Sequence, residues 1–287
     1  MKPLQLFSLP QIFTPAQFFC GLFLIVCSNS VVNAKNSVNE ISDQELALEQ
    51  LHQARVLMFR AGREYLLHHI TDYDPRFKKS TKQNLAKVET IVPQLDPLLE
   101  HYVEFPIRQE LQKKWQQYQE LQQVNFNTLD VMGEVLSTQL EELMKAHAQL
   151  LFALKNVYNT VEAGLEKPLQ PLVSKSRHDT LLIESISFLY MSQIKSNTRP
   201  HFYEEGMVSM NVLCDRFESA LAELRIGLIE DSKSRRQLKE VKIKFDFIEP
   251  SLRNVSERAV PELVNRYSKS IGDVLHRIEQ RGRSKQT

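Results

Sequence analysis

Glycine is scarce in this chain, with only 8 among 287 residues. Glycine supplies the backbone of tight hairpin turns and of loops that hold phosphate groups, so its scarcity disfavours a β-hairpin protein and a nucleotide-binding loop. An excess of charge is also missing, because 36 Lys and Arg residues face 35 Asp and Glu residues for a net charge of +1. No overall field draws the chain onto nucleic acid. We therefore expect a helical protein without a nucleic-acid partner.

Residues 1–34 have the features of a secretory signal peptide. Lys2 gives a positive start, a short apolar run follows at 18–26, and Ala34 is a small residue of the kind that precedes a cleavage site. The apolar run is shorter than the roughly 20 residues that a membrane-spanning helix needs. We expect cleavage after Ala34 and export of the mature chain, to the periplasm of a Gram-negative cell. An uncleaved N-terminal membrane anchor is the alternative.

Cysteine is scarce as well. Cys20 and Cys27 lie in the predicted signal peptide, which leaves Cys214 alone in the mature chain. A single cysteine forms no internal disulfide. Cys214 lies in an apolar pattern with helical spacing, which favours a small buried hydrophobic side chain over a reactive thiol.

The mature chain has the pattern of successive amphipathic helices. Ser42 and Glu45 form a capping box, which predicts that the first helix begins there. Apolar residues then recur at alternating steps of four and three, the spacing of one packed side of a helix. These residues are Ala47, Leu51, Ala54, Met58, Ala61 and Tyr65.

Prolines mark the predicted ends of the later helices. Pro93 and Pro97 are expected to kink or split the second helix, whereas Pro106 suits the first turn of a third. A fourth, long helix is predicted from about residue 129 to residue 161. Residues 166–177 contain two more prolines and are interpreted as a linker between two halves of the chain.

The two halves can be aligned with each other. Residues 88–96 match residues 217–225 at an offset of 129 (217 − 88), and Trp115 matches Phe245 at an offset of 130 (245 − 115). Agreement between separate segments favours duplication over the chance similarity of amphipathic helices. We therefore predict an all-α fold of two tandem four-helix-bundle units with long amphipathic helices. The predicted units are residues 35–165 and 178–287, joined by the linker of residues 166–177.

The order of these motifs resembles that of PilJ/NarX-like extracytoplasmic sensor domains, found in type IV pilus chemotaxis transducers and nitrate sensor kinases. The resemblance rests on Gly62 and Arg63 in the first helix and on three later helices. Those helices contain "RFESALAEL" (216–224), "RRQLKEVKIKFDFIEPSL" (235–252) and "VPELVNRYSKSI" (260–271). Two tandem copies of the domain would fill the mature chain.

In the nitrate sensors, an arginine of the first-helix motif binds an anion between two subunits. Gly62, Arg63 and Leu67 match that motif, whereas the second half has "ISFLYMSQ" (186–193) in its place and no arginine. The resemblance implies a small anionic ligand, a homodimer and a sensing role. This chain contains no kinase or methyl-accepting region, so we expect it to signal through a separate envelope or membrane receptor.

Arg60 and Arg63 lie on a second packed side of the first helix, with Val56, Leu67 and Ile70. A guanidinium taken out of water needs a carboxylate or an anionic ligand, since its isolated burial costs several kcal/mol. Glu184 is a candidate partner because the repeat aligns it with Arg60, at an offset of 124 (184 − 60). Three alternatives stay open: an internal ion pair, a bound small anion, and exposure to solvent.

Neither catalysis nor metal binding has a motif in this sequence. His68 and His69 are adjacent, so they project about 100° apart on a helix and cannot share a metal as an i, i+4 pair does. His147 is interpreted as a hydrogen-bonded core residue. We expect no enzyme activity, no cofactor and no metal. The predicted function is that of an exported sensor-like or ligand-binding module, and the alternative is a structural adaptor of the cell envelope without a small ligand.

Overall fold

The computed structural model of the protein describes residues 42–196, 208–228, 231–255 and 259–284. These residues form α-helices and their connections, and no strand occurs within these four ranges. The predicted all-α fold is therefore confirmed. The predicted signal peptide of residues 1–34 lies outside the described residues.

In chain order, the described helices are α1 (Asp43–Ile70), α2 (Pro75–Leu99), α3 (Phe105–Met132), α4 (Ser137–Ala163), α5 (Pro171–Ser196), α6 (Met210–Gly227), α7 (Ser232–Arg253) and α8 (Pro261–Ser284). No helix in this set combines the length and the apolar composition that crossing a membrane requires.

Side-chain caps fix where several helices begin. The Ser42 hydroxyl accepts a hydrogen bond from the Glu45 backbone N–H at 3.2 Å, so the predicted start of α1 is confirmed. Ser209 caps α6 in the same way, and Asp231 caps α7 by accepting from the Ser234 N–H at 2.9 Å. Each cap provides an acceptor for a backbone donor that has no partner inside the helix.

The structure excludes the split among the two alternatives for α2, and it corrects the predicted start of α4. Helix α2 is continuous through Pro93 and Pro97, and the predicted split is absent. Both prolines are exposed, so water can solvate the carbonyl groups that lose their helical donors. The helix predicted from residue 129 begins only at Ser137, because α3 runs on to Met132. Gly133 ends α3 in the left-handed conformation, with φ 78°, which a residue without a Cβ adopts at no steric cost.

Helix α5 also begins earlier than the sequence indicated. It begins at Pro171, so residues 171–177 of the predicted linker are helical and residues 164–170 connect the two halves. Proline is well suited to the first turn of a helix, where its missing N–H has no partner to lose. The proline interpreted as a helix breaker is therefore a helix start.

The eight described helices pack as two groups. In the first group, α1 contacts α2, α2 contacts α3, α3 contacts α4, and α4 returns to α1. Helices α5 to α8 make the same closed sequence of contacts in the second group. The groups meet where α1 packs against α5 and α8, and all described residues belong to one compact unit. Pairwise contacts of this kind are those of four-helix bundles.

The aligned segments of the two halves occupy matching places in the two groups. Val88, Val92 and Leu95 of α2 are fully buried, and so are Phe217 and Leu224 of α6. Trp115 and Phe245 are buried on the equivalent helices α3 and α7. The aligned positions thus build the cores of both groups, while the duplication itself stays a prediction.

Candidate functional site

Helices α1, α5 and α8 contact one another, and we call the region where they meet the junction. Most of the buried charged side chains lie there, whereas Glu64 bonds to Asn84 of α2 and Asp179 lines a cleft with α6. Among the described residues, every buried Asp, Glu, Lys or Arg lies on one of these three helices: Arg63, Glu64, Arg177, Asp179, Glu184 and Glu279. A buried charge needs a partner, so the junction must contain paired groups or binding groups.

The structure brings Arg60, Arg63 and Glu184 together at the centre of the junction. Arg60 Nε donates to Glu184 Oε1 at 2.6 Å, and Arg63 Nη1 donates to Glu184 Oε2 at 2.5 Å. The side chains of Arg63 and Glu184 are fully buried, which contradicts the alternative of an arginine exposed to solvent. Both oxygens of one carboxylate are therefore occupied by the two guanidinium groups.

The contacts of the two arginines show how α5 is oriented relative to α1. Arg60 contacts Glu184, and Arg63 Nη1 donates to Ser187 Oγ at 2.6 Å; both pairs are 124 residues apart. A constant offset means that the two helices run side by side in the same direction. The alignment of the two halves pairs Arg60 with Glu184 at this same offset of 124 residues.

Helix α8 adds two polar groups that the sequence interpretation missed. Arg60 Nη2 donates to Asp273 Oδ1 at 3.0 Å, and Arg63 Nε donates to Asn265 Oδ1 at 2.7 Å. Burial alone would lower the pKa of Arg60, but Glu184 and Asp273 hold it above its ordinary value. Asn265 lies in the "VPELVNRYSKSI" segment, where a polar residue on a packed helix was the only signal.

A glycine lets α8 approach this ion pair. A Cβ at Gly272 would lie 2.8 Å from Glu184 Oε1 and 2.9 Å from Arg60 Nη2. A Cβ at these distances would force the end of Glu184 or Arg60 to shift, so glycine keeps room for both charged groups in their present places. Gly62 plays a similar part in α1, since its Cβ would lie 2.8 Å from His147 Nε2 and 2.9 Å from Phe188.

A second ion pair joins α5 to α8 further along the junction. Arg177 Nε donates to Glu279 Oε1 at 2.8 Å, and both side chains are almost fully buried. Arg283 donates to the same oxygen at 2.7 Å and also pairs with Glu49 of α1. Burial raises the pKa of Glu279, yet the hydrogen bond from His276 and the charge of Arg177 outweigh it and hold the pKa below its ordinary value.

Three histidines of the first group, His147, His68 and His69, pack within the helices and their turn. His147 Nε2 donates to the Met58 carbonyl at 2.9 Å, which confirms His147 as a hydrogen-bonded core residue. His68 Nδ1 donates to the Asp74 carbonyl at 2.8 Å. The His68 and His69 ring centroids lie 5.9 Å apart, with Tyr73 in contact with both.

The remaining candidate groups are Cys214 and an acidic cluster on α6 and α7. Cys214 is buried, as the sequence indicated, and burial raises the pKa of its thiol to about 12, so the reactive thiolate is disfavoured. Glu218, Asp246 and Glu249 form the acidic cluster on α6 and α7. Lys242 and Arg253 form ion pairs with these carboxylates, which makes the cluster a surface salt-bridge network.

Comparison with known proteins gives no likeness: no protein-family model, no curated protein and no solved structure matches this chain. The fold and the junction therefore define the class by themselves. The described chain is an all-α protein of two four-helix groups that meet at the junction, where charged side chains are buried.

Proposed function

We propose that this protein is an exported, non-catalytic helical module that binds a small ligand and signals through a separate membrane receptor. The observation that carries the proposal is the burial of Arg60, Arg63 and Glu184 between the two helix groups. A buried ion pair contributes little net stability compared with apolar packing, because both charges lose their hydration. Charged groups at such a contact serve better to fix one arrangement of the two groups, and a ligand that favours another arrangement could shift it.

The resemblance to PilJ/NarX-like sensors supports this proposal in one further way. In the nitrate sensors, an arginine of the first helix meets an anion between two subunits. Here Arg63 matches that position and Glu184 provides the carboxylate, from a helix that runs beside α1 in the same direction. We infer that Glu184 stands in place of an external anion, so nitrate is not the ligand of this pair.

The alternative is an envelope adaptor that recognises only another protein. The turn between α3 and α4 favours it, because Val131, Met132 and Leu136 are exposed there by 85%, 68% and 56%. Clustered apolar side chains on a surface are typical of protein contacts. An adaptor would use this turn and would leave the junction as a fixed structural contact.

Distance measurements across the junction separate the two functions. Spin labels at Gln53 of α1 and Lys195 of α5, both exposed, would report the relative position of the two helix groups. A panel of anionic, neutral and cationic metabolites is added, and receptor candidates are captured by crosslinking in the cell envelope. A ligand module is expected to give a changed distance distribution with at least one compound. Capture of a partner with an unchanged distribution for every compound would contradict it and support the adaptor.

Export is tested separately. Mass spectrometry of the chain recovered from the periplasm is expected to show a first residue at Lys35, after cleavage behind Ala34. Recovery of the intact chain in the membrane fraction would instead support the uncleaved anchor. Light scattering of the same material tests the expected homodimer.

A further inference from the structure

Basic side chains collect at the end of the second helix group where α6 leads into α7. The Asp231 N–H at the start of α7 donates to the Leu228 carbonyl at 3.0 Å, so these two helix ends adjoin. Helix α8 ends beside them, because Arg281 Nη1 lies 4.0 Å from Asp231 Oδ1. We call this region the basic end and define it by six exposed residues: Arg225 of α6, Lys233, Arg235, Arg236 and Lys239 of α7, and Arg277 of α8.

The six basic side chains have no partner within the fold. In the part of the chain that the structure describes, none of them forms an ion pair or a side-chain hydrogen bond. The second half of α7 provides the contrast, since residues 240–253 contain three acidic and three basic residues. There Lys242, Lys244 and Arg253 all pair with carboxylates. The first half, residues 232–239, has four basic residues and no acidic one.

These positive charges also lie at the unfavourable end of α7. The aligned peptide dipoles of a helix leave a partial positive charge at its N-terminus, so nearby cations are repelled and reduce stability. The first turn of α7 contains no acidic residue, and the N-cap is Asp231. Charges that oppose their helix and have no internal partner are typical of a functional surface.

An exposed apolar side chain lies within the basic end. Ile226 follows Arg225 in the last turn of α6 and is 69% exposed. The next position is open as well, since a Cβ at Gly227 would meet nothing within 4 Å. Surfaces that bind anionic lipid combine basic side chains, which attract headgroups, with apolar side chains that enter the boundary of the acyl chains.

Helix α1 begins at the same end of the fold. Arg283 in the last turn of α8 pairs with Glu49 in the second turn of α1. The chain before α1 contains the apolar run at 18–26, so a retained N-terminal anchor would tether the protein through the basic end. The tether and Ile226 favour a lipid bilayer over an acidic protein as the partner of this surface.

We infer that the basic end docks this protein on a bilayer that contains anionic phospholipid. Phosphate headgroups lie against Arg235, Arg236 and Lys239, and Ile226 enters the interface. The inference goes beyond the proposed function, because it depends on neither the small ligand nor the receptor. Docking keeps the protein at the surface in which a membrane receptor lies.

Sedimentation with lipid vesicles tests the inference on the folded chain as it is recovered from cells. One vesicle contains phosphatidylglycerol and phosphatidylcholine in a ratio of about one to two, and the other contains phosphatidylcholine alone. Saturable binding is expected to the anionic vesicle only. Raising the salt concentration from about 0.05 M to about 0.5 M is expected to weaken this binding at least about ten-fold, because salt screens exposed charges.

Matched variants assign the surface. Arg235→Gln with Arg236→Gln is expected to raise the Kd for anionic vesicles at least about ten-fold, since each basic side chain near a lipid surface contributes about five-fold. Lys87→Gln with Lys113→Gln removes the same charge from exposed, unpaired residues of α2 and α3 and is expected to leave the Kd unchanged. Ile226→Ser is expected to raise the Kd at least about three-fold.

Melting curves of the arginine variant separate docking from a structural role. Because the two arginines oppose the dipole of α7, their removal is expected to leave the melting temperature unchanged or higher. A fall in melting temperature would overturn the claim that these side chains are free of internal partners.

Four binding results overturn the docking surface. They are no binding to anionic vesicles, equal binding to both vesicles, an equal loss of affinity in the Lys87 and Lys113 variant, and unchanged binding in Ile226→Ser. Binding to polyglutamate without binding to vesicles also overturns it and indicates an acidic protein instead. None of these results alters the spin-label distances that test the proposed function, so the two can fail separately.

Discussion

The junction and the core of the second helix group are both buried, yet they are built from opposite chemistry. In the core, Phe217 and Phe245 pack with ring centroids 4.7 Å apart among aliphatic side chains. At the junction, Arg63 and Glu184 are equally buried but carry opposite charges. Apolar contacts tolerate small shifts, whereas a desolvated ion pair has one geometry. The difference indicates that the cores supply stability and the junction supplies a defined arrangement of the two groups.

Removing the buried carboxylate at the junction is expected to have the largest effect. Glu184→Gln leaves two arginines without their shared negative charge, so the free energy of unfolding falls by about 3–5 kcal/mol. Urea titration followed by circular dichroism measures the loss. Asp273→Asn is the matched control, because Asp273 also binds Arg60 but is 46% exposed. If Asp273→Asn lowers the free energy of unfolding as much as Glu184→Gln does, burial of the carboxylate is not the cause of the loss.

An apolar replacement sharpens the same comparison. The double variant Arg63→Met with Glu184→Leu removes both buried charges and is expected to regain more than half of the stability lost in Glu184→Gln. Its spin-label distance distribution is expected to broaden, because the ion pair no longer fixes α1 against α5. A stable double variant with an unchanged narrow distribution would show that the charges do not set the arrangement.

Truncating an apolar side chain in either helix group tests the contribution of the cores, the second region in the comparison. Leu95→Ala in α2 and Leu224→Ala in α6 each remove a fully buried side chain, so each is expected to lower the unfolding free energy by about 2–5 kcal/mol. The two residues are aligned by the repeat, and the losses are expected to be similar. Urea titration at low and high salt is the measurement. A strong salt dependence of either loss would mean that the cores also depend on charge.

Filling a close contact is expected to cost less. Gly62→Ala puts a Cβ within 3 Å of His147 and Phe188, and we expect a loss of about 1–3 kcal/mol from overpacking. Gly227→Ala is the control, because its Cβ would meet nothing within 4 Å. Thermal melting of both variants measures the difference. Equal melting temperatures would show that α1 can move away from α4 and α5 at little cost.

An effect of similar size, which is present only toward alkaline pH, concerns Asp179 of α5. Burial raises the pKa of Asp179 to about 7 from 3.8, and its Oδ2 has no hydrogen-bond partner. The stability that its neutral form contributes is present below pH 3.8 and is lost as pH rises through 7. Asp179→Asn is therefore expected to exceed the wild type by roughly 1–3 kcal/mol at pH 8, with the advantage shrinking toward pH 4.

Urea titrations of both proteins from pH 4 to pH 8 test this expectation. His52 has the opposite sign, since burial lowers its pKa to about 3 and its contribution is lost as pH falls from 6.5. Comparing Asp179→Asn with the wild type at each pH removes the shared contribution of His52. An advantage that stays constant across the range would contradict the raised pKa.

Several parts of the fold were predicted correctly from patterns of residues along the sequence. The cap at Ser42 and the apolar spacing of α1 depend on neighbouring residues, and both identify a helix correctly. The offset of 124 aligned Arg60 with Glu184, and the structure has the two in contact. Alignment works here because α1 and α5 run side by side in the same direction.

Other features of the structure were not predicted from the sequence. They depend on contacts between distant segments, or on residues such as proline that are compatible with two structures. Asn265 and Asp273 reach the arginines from 202 and 213 residues away, and nothing near them in the sequence indicates that neighbour. Proline both breaks and starts helices, so the sequence around Pro171 fits a linker as well as the helix start that the structure has there. If the Pro93 carbonyl were buried without a helical donor, α2 would break there. The carbonyl is exposed instead, and that exposure follows from tertiary packing, which the local sequence does not show.

Helix α1 is surrounded by α2, α4, α5 and α8, so its buried residues belong to both helix groups at once. Neither group can complete its interior without that helix. Cutting the chain within residues 164–170 would leave each fragment with a wide apolar and charged surface. The protein should therefore fold and unfold as one cooperative unit, with a single transition, even though its chain is organised as two halves.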